Sequence, residues 1–129
     1  MSTNSRIAVR TEEGYKTIYC HFDGYPEYMY PMLTDNYGTE EKALALVALG
    51  DASSVGEKLE PTKDYHSFDL PEEGVCVFYH RDRGEDWEFC KPRIYETKER
   101  IFAIEYYVYI FEDGKWTCYE DGRARQWLL

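Results

Sequence analysis

Residues 5–22 run SRIAVRTEEGYKTIYCHF, and their pattern indicates how the fold begins. Apolar side chains alternate with polar ones through Ile7 and Val9, which is the two-residue period of a strand. Residues 11–14 interrupt the alternation, and residues 15–22 resume it with β-branched and aromatic side chains. The sequence therefore predicts an opening β-hairpin.

A helix is predicted directly after this hairpin. Pro26 follows the turn residues 23–25 and suits the first turn of a helix over residues 27–36. Pro31 lies inside that segment and lacks the N–H that would bond back to Glu27, so the helix is expected to be kinked or to start late.

A second helix has clearer end signals. Thr39 is the expected N-cap, and two glutamates follow it at the positive end of the helix dipole. Apolar residues at helical spacing continue to Leu49, and Gly50 is the expected stop. Residues 51–73 are then rich in Gly, Ser, Pro, Asp and Glu, which predicts a long connection of the kind that often carries function.

The second half of the chain is less uniform. Residues 75–79 form a continuous apolar run, which predicts a central strand. Thr97 is a candidate cap for a short helix through residue 103, but residues 101–111 also fit one long strand. A closing hairpin is predicted over residues 107–119, with Asp113-Gly114 in its turn. Together these elements predict one α+β domain over residues 1–129, with a mostly antiparallel sheet of about five or six strands and two or three helices on one face.

Composition limits the possible functions. Among 129 residues, 25 Asp and Glu outnumber 15 Lys and Arg, giving a net charge of −10. Nucleic acids and anionic membranes would repel such a chain, so direct binding to either is not expected. The longest apolar run, residues 43–49, is far shorter than a membrane span, and no export signal is visible, so a cytoplasmic location is expected.

The four cysteines, Cys20, Cys76, Cys90 and Cys118, have no close pairing in the sequence. Three of them lie in strand-like apolar runs, where a thiol serves as a small buried apolar group. We expect reduced cysteines, with a four-thiolate zinc site as the alternative.

The negative charge is concentrated in the middle of the chain. Residues 23–73 carry twelve acidic and three basic groups, a net charge of −9. Carboxylates spread over two helices and a loop could imitate the phosphates of a nucleic acid and attract a protein that binds one. The alternative is that this charge only aids solubility.

Tyrosines within the same stretch are candidate interface anchors, because tyrosine combines apolar area with a hydroxyl group. The residues predicted to contact a partner are Asp35, Glu40, Glu41, Glu57, Glu60, Asp64, Tyr25, Tyr28 and Tyr37.

Two His-x-Asp triplets suggest a different chemistry. His21 and Asp23, and likewise His80 and Asp82, stand two residues apart at predicted strand ends. In an extended chain such residues share a face, so two converging ends would offer four metal ligands and a small metal-dependent enzyme. The opposing interpretation is that Asp23 shapes a turn and that Asp82 pairs with a neighbouring arginine. His66 has no nucleophile motif to partner it.

Three segments carry a resemblance to a known family: residues 18–27 (IYCHFDGYPE), residues 48–54 (ALGDASS) and residues 77–85 (VFYHRDRGE). Together they resemble a family of small, mostly uncharacterised phage and prophage proteins. Phe22 departs from that pattern, in which a tryptophan is common, as does Pro31. The resemblance implies an accessory protein acting inside a bacterium and transfers no catalytic residues.

We therefore expect a non-enzymatic inhibitor without a cofactor, similar in type to anti-CRISPR proteins. It would bind the basic nucleic-acid-binding surface of a host defence protein through residues 23–73. Alternatives are the metal-dependent enzyme and a phage assembly protein that recognises a partner through exposed tyrosines.

Overall fold

The computed structural model describes residues 2–125, which form eight strands and five helices. In chain order these are β1 (Ser5–Thr11), β2 (Gly14–Cys20), α1 (Pro26–Asn36), α2 (Glu40–Val47), β3 (Ala52–Ser54), β4 (Val77–Phe78), α3 (Tyr79–Arg83), α4 (Trp87–Cys90), β5 (Arg93–Tyr95), α5 (Lys98–Phe102), β6 (Tyr107–Glu112), β7 (Lys115–Glu120) and β8 (Arg123–Arg125). The predicted α+β class is confirmed.

All eight strands belong to one mixed sheet. Its order is β4-β3-β2-β1-β6-β7-β8, and β5 pairs with β2 beside this path. Five pairings are antiparallel, whereas β1 with β6 and β2 with β3 are parallel. The sheet is larger than the five or six strands predicted, because β3, β5 and β8 are only three residues long and lie in segments without strand-like alternation.

The helices lie on both faces of the sheet, so the prediction of one covered face is wrong. Ile7 and Val9 of β1 belong to a core with Met29 and Leu33 of α1 and with α2. Ala8 faces the other way and packs with Ile101 of α5 and with Val108 and Ile110 of β6. Alternation along β1 and β6 thus buries both faces of the central strands.

Most local predictions near the N-terminus are confirmed. The opening hairpin is confirmed, although β2 ends at Cys20 rather than Phe22. The hydroxyl of Thr39 accepts the backbone N–H of Lys42 at 3.2 Å, as expected of an N-cap, although α2 ends at Val47 rather than Leu49. Helix α1 continues through Pro31. The carbonyl that loses its bond belongs to Glu27, an exposed residue, where water can serve as donor.

The predicted central strand at residues 75–79 is wrong. Only Val77 and Phe78 form a strand, and β4 lies at the edge of the sheet. Cys76 donates its N–H to the carbonyl of Lys58 at 2.9 Å, and Tyr79 starts α3. Buried positions in a loop and an edge strand give the same apolar run as a central strand, so composition cannot separate them.

At the C-terminal end, the helix interpretation of residues 97–103 is correct and the single-strand alternative is wrong. Thr97 accepts the N–H of Arg100 at 3.4 Å and caps α5. The closing hairpin of β6 and β7 turns at Asp113 and Gly114, which have φ angles of 55° and 79°. None of the helices within residues 2–125 is long and apolar enough to cross a bilayer.

Candidate protein-binding face

Helices α1 and α2 pack on the same face of the sheet, and the start of the connection at residues 55–76 packs against α1. The Tyr28 hydroxyl donates to the carbonyl of Val55 at 2.6 Å, and the Tyr37 hydroxyl donates to that of Gly56 at 2.7 Å. These bonds hold the start of the connection against α1. We call the outward surface of α1, α2 and residues 55–76 the acidic face.

Carboxylates on the acidic face are mostly exposed and unpaired. Of the twelve acidic residues in positions 23–73, only Asp51, Glu60 and Glu72 have a cationic partner within ion-pair distance in the described residues. The other nine are all exposed. By contrast, six of the eleven acidic residues after position 73 are paired. The charge of the middle segment is therefore presented to solvent rather than neutralised locally.

The predicted contact carboxylates divide into two groups. Asp35, Glu40, Glu41, Glu57 and Asp64 belong to the nine unpaired residues. Glu60 is also exposed, but its carboxylate lies 3.8 Å from the guanidinium of Arg81, a surface pair of little energetic weight.

One cleft marks where the segments of the acidic face meet. It has a volume of about 250 Å³ and is lined by Asn36, Tyr37, Lys42, Ala45, Glu57 and Leu59. Asn36 adjoins Asp35 at the end of α1, and Lys42 adjoins Glu41 at the start of α2. Glu57, in the loop, is itself a predicted contact. The end of α1, the start of α2 and the loop therefore share this surface.

The predicted tyrosine anchors differ in exposure. Tyr25 is 38% exposed and is available to a partner. Tyr28 is partly buried, and burial raises its pKa to about 12. Tyr37 is only 3% exposed and belongs to the core, so its prediction as an anchor is wrong. It packs in the core while its hydroxyl reaches the carbonyl of Gly56 in the loop, and the sequence pattern does not distinguish this burial from exposure.

The loop at residues 55–76 is organised by a buried carboxylate that sequence reasoning missed. Glu72 accepts hydrogen bonds from the backbone N–H groups of Thr62 and Lys63, each at 2.8 Å, and from the Thr62 hydroxyl at 2.6 Å. It also contacts the Lys58 ammonium at 3.2 Å. The Thr62 hydroxyl is the largest influence that lowers the pKa of Glu72 to about 2. The loop is therefore ordered, and the sequence shows Glu72 only as one of several acidic residues.

A second network joins the loop to α3. His66 accepts the N–H of Glu72 on Nδ1 at 2.9 Å, and its buried Nε2 lies 3.2 Å from Oδ1 of Asp82, without the alignment of a good hydrogen bond. Asp82 also accepts hydrogen bonds from Arg81 and from the backbone of Phe78. Burial alone would raise the pKa of Asp82, but these donors hold it below its ordinary value. His66 thus connects the loop to α3 through Glu72 and Asp82.

The four candidate metal ligands do not converge. His80 and Asp82 lie in α3, where residues two apart point in different directions. The ring of His80 is exposed, with Nδ1 2.8 Å from the carbonyl of Glu85, while His21 contacts the Tyr19 hydroxyl at 2.8 Å. Within residues 2–125, no group of three or more His, Cys, Asp or Glu side chains is placed to hold a metal. Asp23 has a φ of 59° and shapes the turn before α1.

The four cysteines are buried and form no disulfide, which agrees with the expectation of reduced thiols. Burial raises the pKa of Cys20 to about 12 and also raises that of Cys76 and Cys90. Burial thus favours the protonated thiols, and Cys76 also accepts a hydrogen bond from the backbone N–H of Gly56 at 3.3 Å.

Apolar exposure near α4 is a further feature that the sequence did not predict. Trp87, Phe89 and Ile94 are 36%, 78% and 45% exposed. They occur in a short stretch rich in charged residues. Aromatic side chains in such a polar stretch are the sequence signal that could have indicated their exposure.

Comparison of the chain with protein-family models, with curated proteins and with solved structures found no match.

Proposed function

We propose that this chain is a non-enzymatic phage inhibitor, similar in type to anti-CRISPR proteins, which acts in the bacterial cytoplasm. Its acidic face would dock on a basic nucleic-acid-binding surface of a host defence protein and occupy that surface in place of DNA or RNA. No cofactor takes part in this proposal.

The observation that carries the proposal is the set of nine exposed carboxylates in residues 23–73 that have no cationic partner in the described residues. No nearby cation within the described residues competes with a partner for these groups, and a surface of one sign associates faster with a surface of opposite sign. A protein that binds nucleic acid provides that surface, because its own ligand is a line of phosphates.

Order in the acidic face supports the same function. The loop is held by the four donors around Glu72, and its base is closed by the bond from the Lys58 N–H to the carbonyl of Gly74 at 2.9 Å. Carboxylates on an ordered loop lose less conformational entropy on binding than carboxylates on a flexible one. Tyr25, exposed at the start of α1, adds apolar contact area at the margin of this face.

The test uses charge reversal with a matched control. The variant Glu40→Lys, Glu41→Lys, Glu57→Lys changes the acidic face, and Glu12→Lys, Glu13→Lys, Glu96→Lys makes the same change in net charge at exposed residues elsewhere. Each protein is used as bait in a lysate of the bacterial host, and each is then assayed for displacing a labelled DNA duplex from the captured protein.

We expect the parent and the control to capture a nucleic-acid-binding protein and displace the duplex. The acidic-face variant should do so at least about tenfold less well, with a weaker dependence on salt. Equal inhibition by the acidic-face variant would show the proposal to be wrong. Capture of a phage structural protein that binds no nucleic acid would instead favour the assembly role.

A further inference from the structure

A cleft of about 380 Å³ lies at a gap in the sheet, away from the acidic face. The outer edge of β2 pairs with β5 at residues 15–17 and with β3 only at Cys20, which leaves an opening between them. Arg6 and Tyr19 border it on the sheet, and they point away from α1 and α2 because Ile7 and Ile18 point toward those helices. The cleft is lined by Arg6, Tyr19, Asp51, Phe89, Arg93 and Tyr95.

Polar groups in this cleft have unused hydrogen-bonding capacity. Oδ1 of Asp51 accepts the N–H of Tyr19 at 2.9 Å, whereas Oδ2 lies 3.9 Å from the Arg93 guanidinium, too far for a hydrogen bond. Arg93 is about half exposed, and Arg6 approaches Glu105 through Nε at 3.3 Å. One carboxylate oxygen and several guanidinium N–H groups are therefore available to a ligand.

Aromatic surface borders the same cleft. Phe89 is 78% exposed, more than any other large apolar side chain in the described residues. The guanidinium of Arg6 already lies over the Tyr19 ring, 5.2 Å from its centre. A flat ligand could stack on Phe89 and remove this apolar area from water.

We propose that this cleft binds guanine as an uncharged base or nucleoside. Guanine is flat, and its N1–H and N2–H groups lie side by side, so one can donate to the free Oδ2 of Asp51 and the other to the second lone pair of Oδ1. Its O6 and N7 atoms are the acceptors that arginine recognises in the major groove of DNA, a role available here to Arg93. Adenine lacks the paired donors.

Charge argues for the nucleoside rather than the nucleotide. Arg6 is partly neutralised by Glu105 and Arg93 by Asp51, so the cleft has no excess positive charge for a phosphate. The net charge of −10 further opposes an anionic ligand. The proposal is independent of the acidic face.

The test is a titration of the isotope-labelled chain followed by NMR, with guanosine, adenosine and guanosine 5′-monophosphate as probes. Two variants address the cleft. Asp51→Asn retains an oxygen for the Tyr19 N–H but replaces the second acceptor, and Phe89→Ala removes the stacking surface. Tyr65→Ala is the control, since Tyr65 is likewise an exposed aromatic residue but lies in the 55–76 loop. Unchanged thermal unfolding will show that each variant folds.

We expect guanosine to shift the signals of the cleft residues and to bind at least about tenfold more tightly than adenosine. Each cleft variant should weaken guanosine about tenfold, and Tyr65→Ala should not. The monophosphate should bind no more tightly than guanosine. The proposal is overturned if guanosine does not bind, if either cleft variant binds it as well as the parent, or if the monophosphate binds much more tightly.

Discussion

At the scale of the residue, Glu72 shows how one side chain can order a long loop. It is 5% exposed, yet its carboxylate meets two backbone N–H groups, a hydroxyl and an ammonium. Donors of this kind satisfy a buried charge that would otherwise be costly. Because they all come from residues 58–63, the bonds fold residues 58–72 into a closed loop.

The first prediction concerns the stability of the fold at low pH. The pKa of Glu72 falls from its ordinary value of 4.5 to about 2 in the folded chain, so its stabilising contribution is complete above pH 4.5 and is lost as the pH falls toward 2. Glu72→Gln should therefore lower the melting temperature at pH 7, and its difference from the parent should shrink between pH 4.5 and 2. Thermal unfolding followed by circular dichroism measures this. Glu73→Gln, at the exposed neighbour, is the control, and a pH-independent difference at residue 72 would contradict the prediction.

A second prediction at this scale concerns the buried Tyr37. Tyr37→Phe removes the hydroxyl that donates to the carbonyl of Gly56 and lies 3.3 Å from the Cys76 sulfur. The free energy of unfolding should fall by about 1 kcal/mol, the net value of one such hydrogen bond. Urea denaturation measures it. Tyr25→Phe, at an exposed ring, should change stability by less than about 0.5 kcal/mol. Equal effects would show that Tyr37 is held by packing alone.

At the scale of the element, the end of α2 depends on a glycine. Gly50 has a φ of 86°, and a β-carbon placed there would lie 2.3 Å from the carbonyl oxygen of Cys90. Asp51, the next residue, donates its N–H to that same oxygen at 2.7 Å. Close approach of the chain at Gly50 thus connects α2 to α4 and directs β3 into the sheet beside β2.

The third prediction distinguishes the free-energy cost of the close contact at Gly50 from the cost of its positive φ angle. Gly114 has a φ of 79°, but a β-carbon added there would meet no atom within 4 Å. Gly114→Ala should cost about 1–2 kcal/mol from the left-handed backbone alone. Gly50→Ala should cost at least about 1 kcal/mol more, because the backbone of Cys90 must also move. Chemical denaturation compares the two, and equal losses would show that the contact at Gly50 relaxes freely.

At the scale of the whole molecule, the distribution of charge is the main property. Nine carboxylates in residues 23–73 are exposed and have no cationic partner among residues 2–125, and the chain has a net charge of −10. Repulsion among like charges destabilises the compact state, and salt reduces that repulsion. Stability should therefore rise with salt, whereas the proposed docking of the acidic face on a basic surface should weaken.

The fourth prediction tests this repulsion without a partner. Raising the salt concentration from about 0.01 M to about 0.15 M shortens the screening length from about 30 Å to about 8 Å. The melting temperature of the parent should rise, and that of the Glu40→Lys, Glu41→Lys, Glu57→Lys variant should rise less. Calorimetry in sodium chloride measures both. A decrease in the parent would show that attractive ion pairs dominate the charge balance.

Local signals predicted the opening hairpin, the starts of α2 and α5, and the closing hairpin. The alternation at Ile7 and Val9, the caps at Thr39 and Thr97, and the Asp113-Gly114 turn each depend on neighbours in sequence, so the residues themselves encode the result. Predictions failed where contacts between residues far apart in the sequence determine the local structure. Val75 and Cys76 pair with residue 58 instead of extending a strand, and the three-residue strands exist because β2 and β7 provide partners.

Composition and short spacing were enough to predict the α+β class, the two hairpins, the starts of α2 and α5 and the concentration of charge in residues 23–73, but not helices α3 and α4. Contacts across the fold were needed to establish that Tyr37 is buried, that the two His-x-Asp pairs stay apart, and that Glu72 and His66 order the loop. The same contacts brought Arg6, Asp51, Phe89 and Arg93 to one cleft. Such outcomes depend on residues far apart in the chain, and no local pattern records which distant segment will become a neighbour.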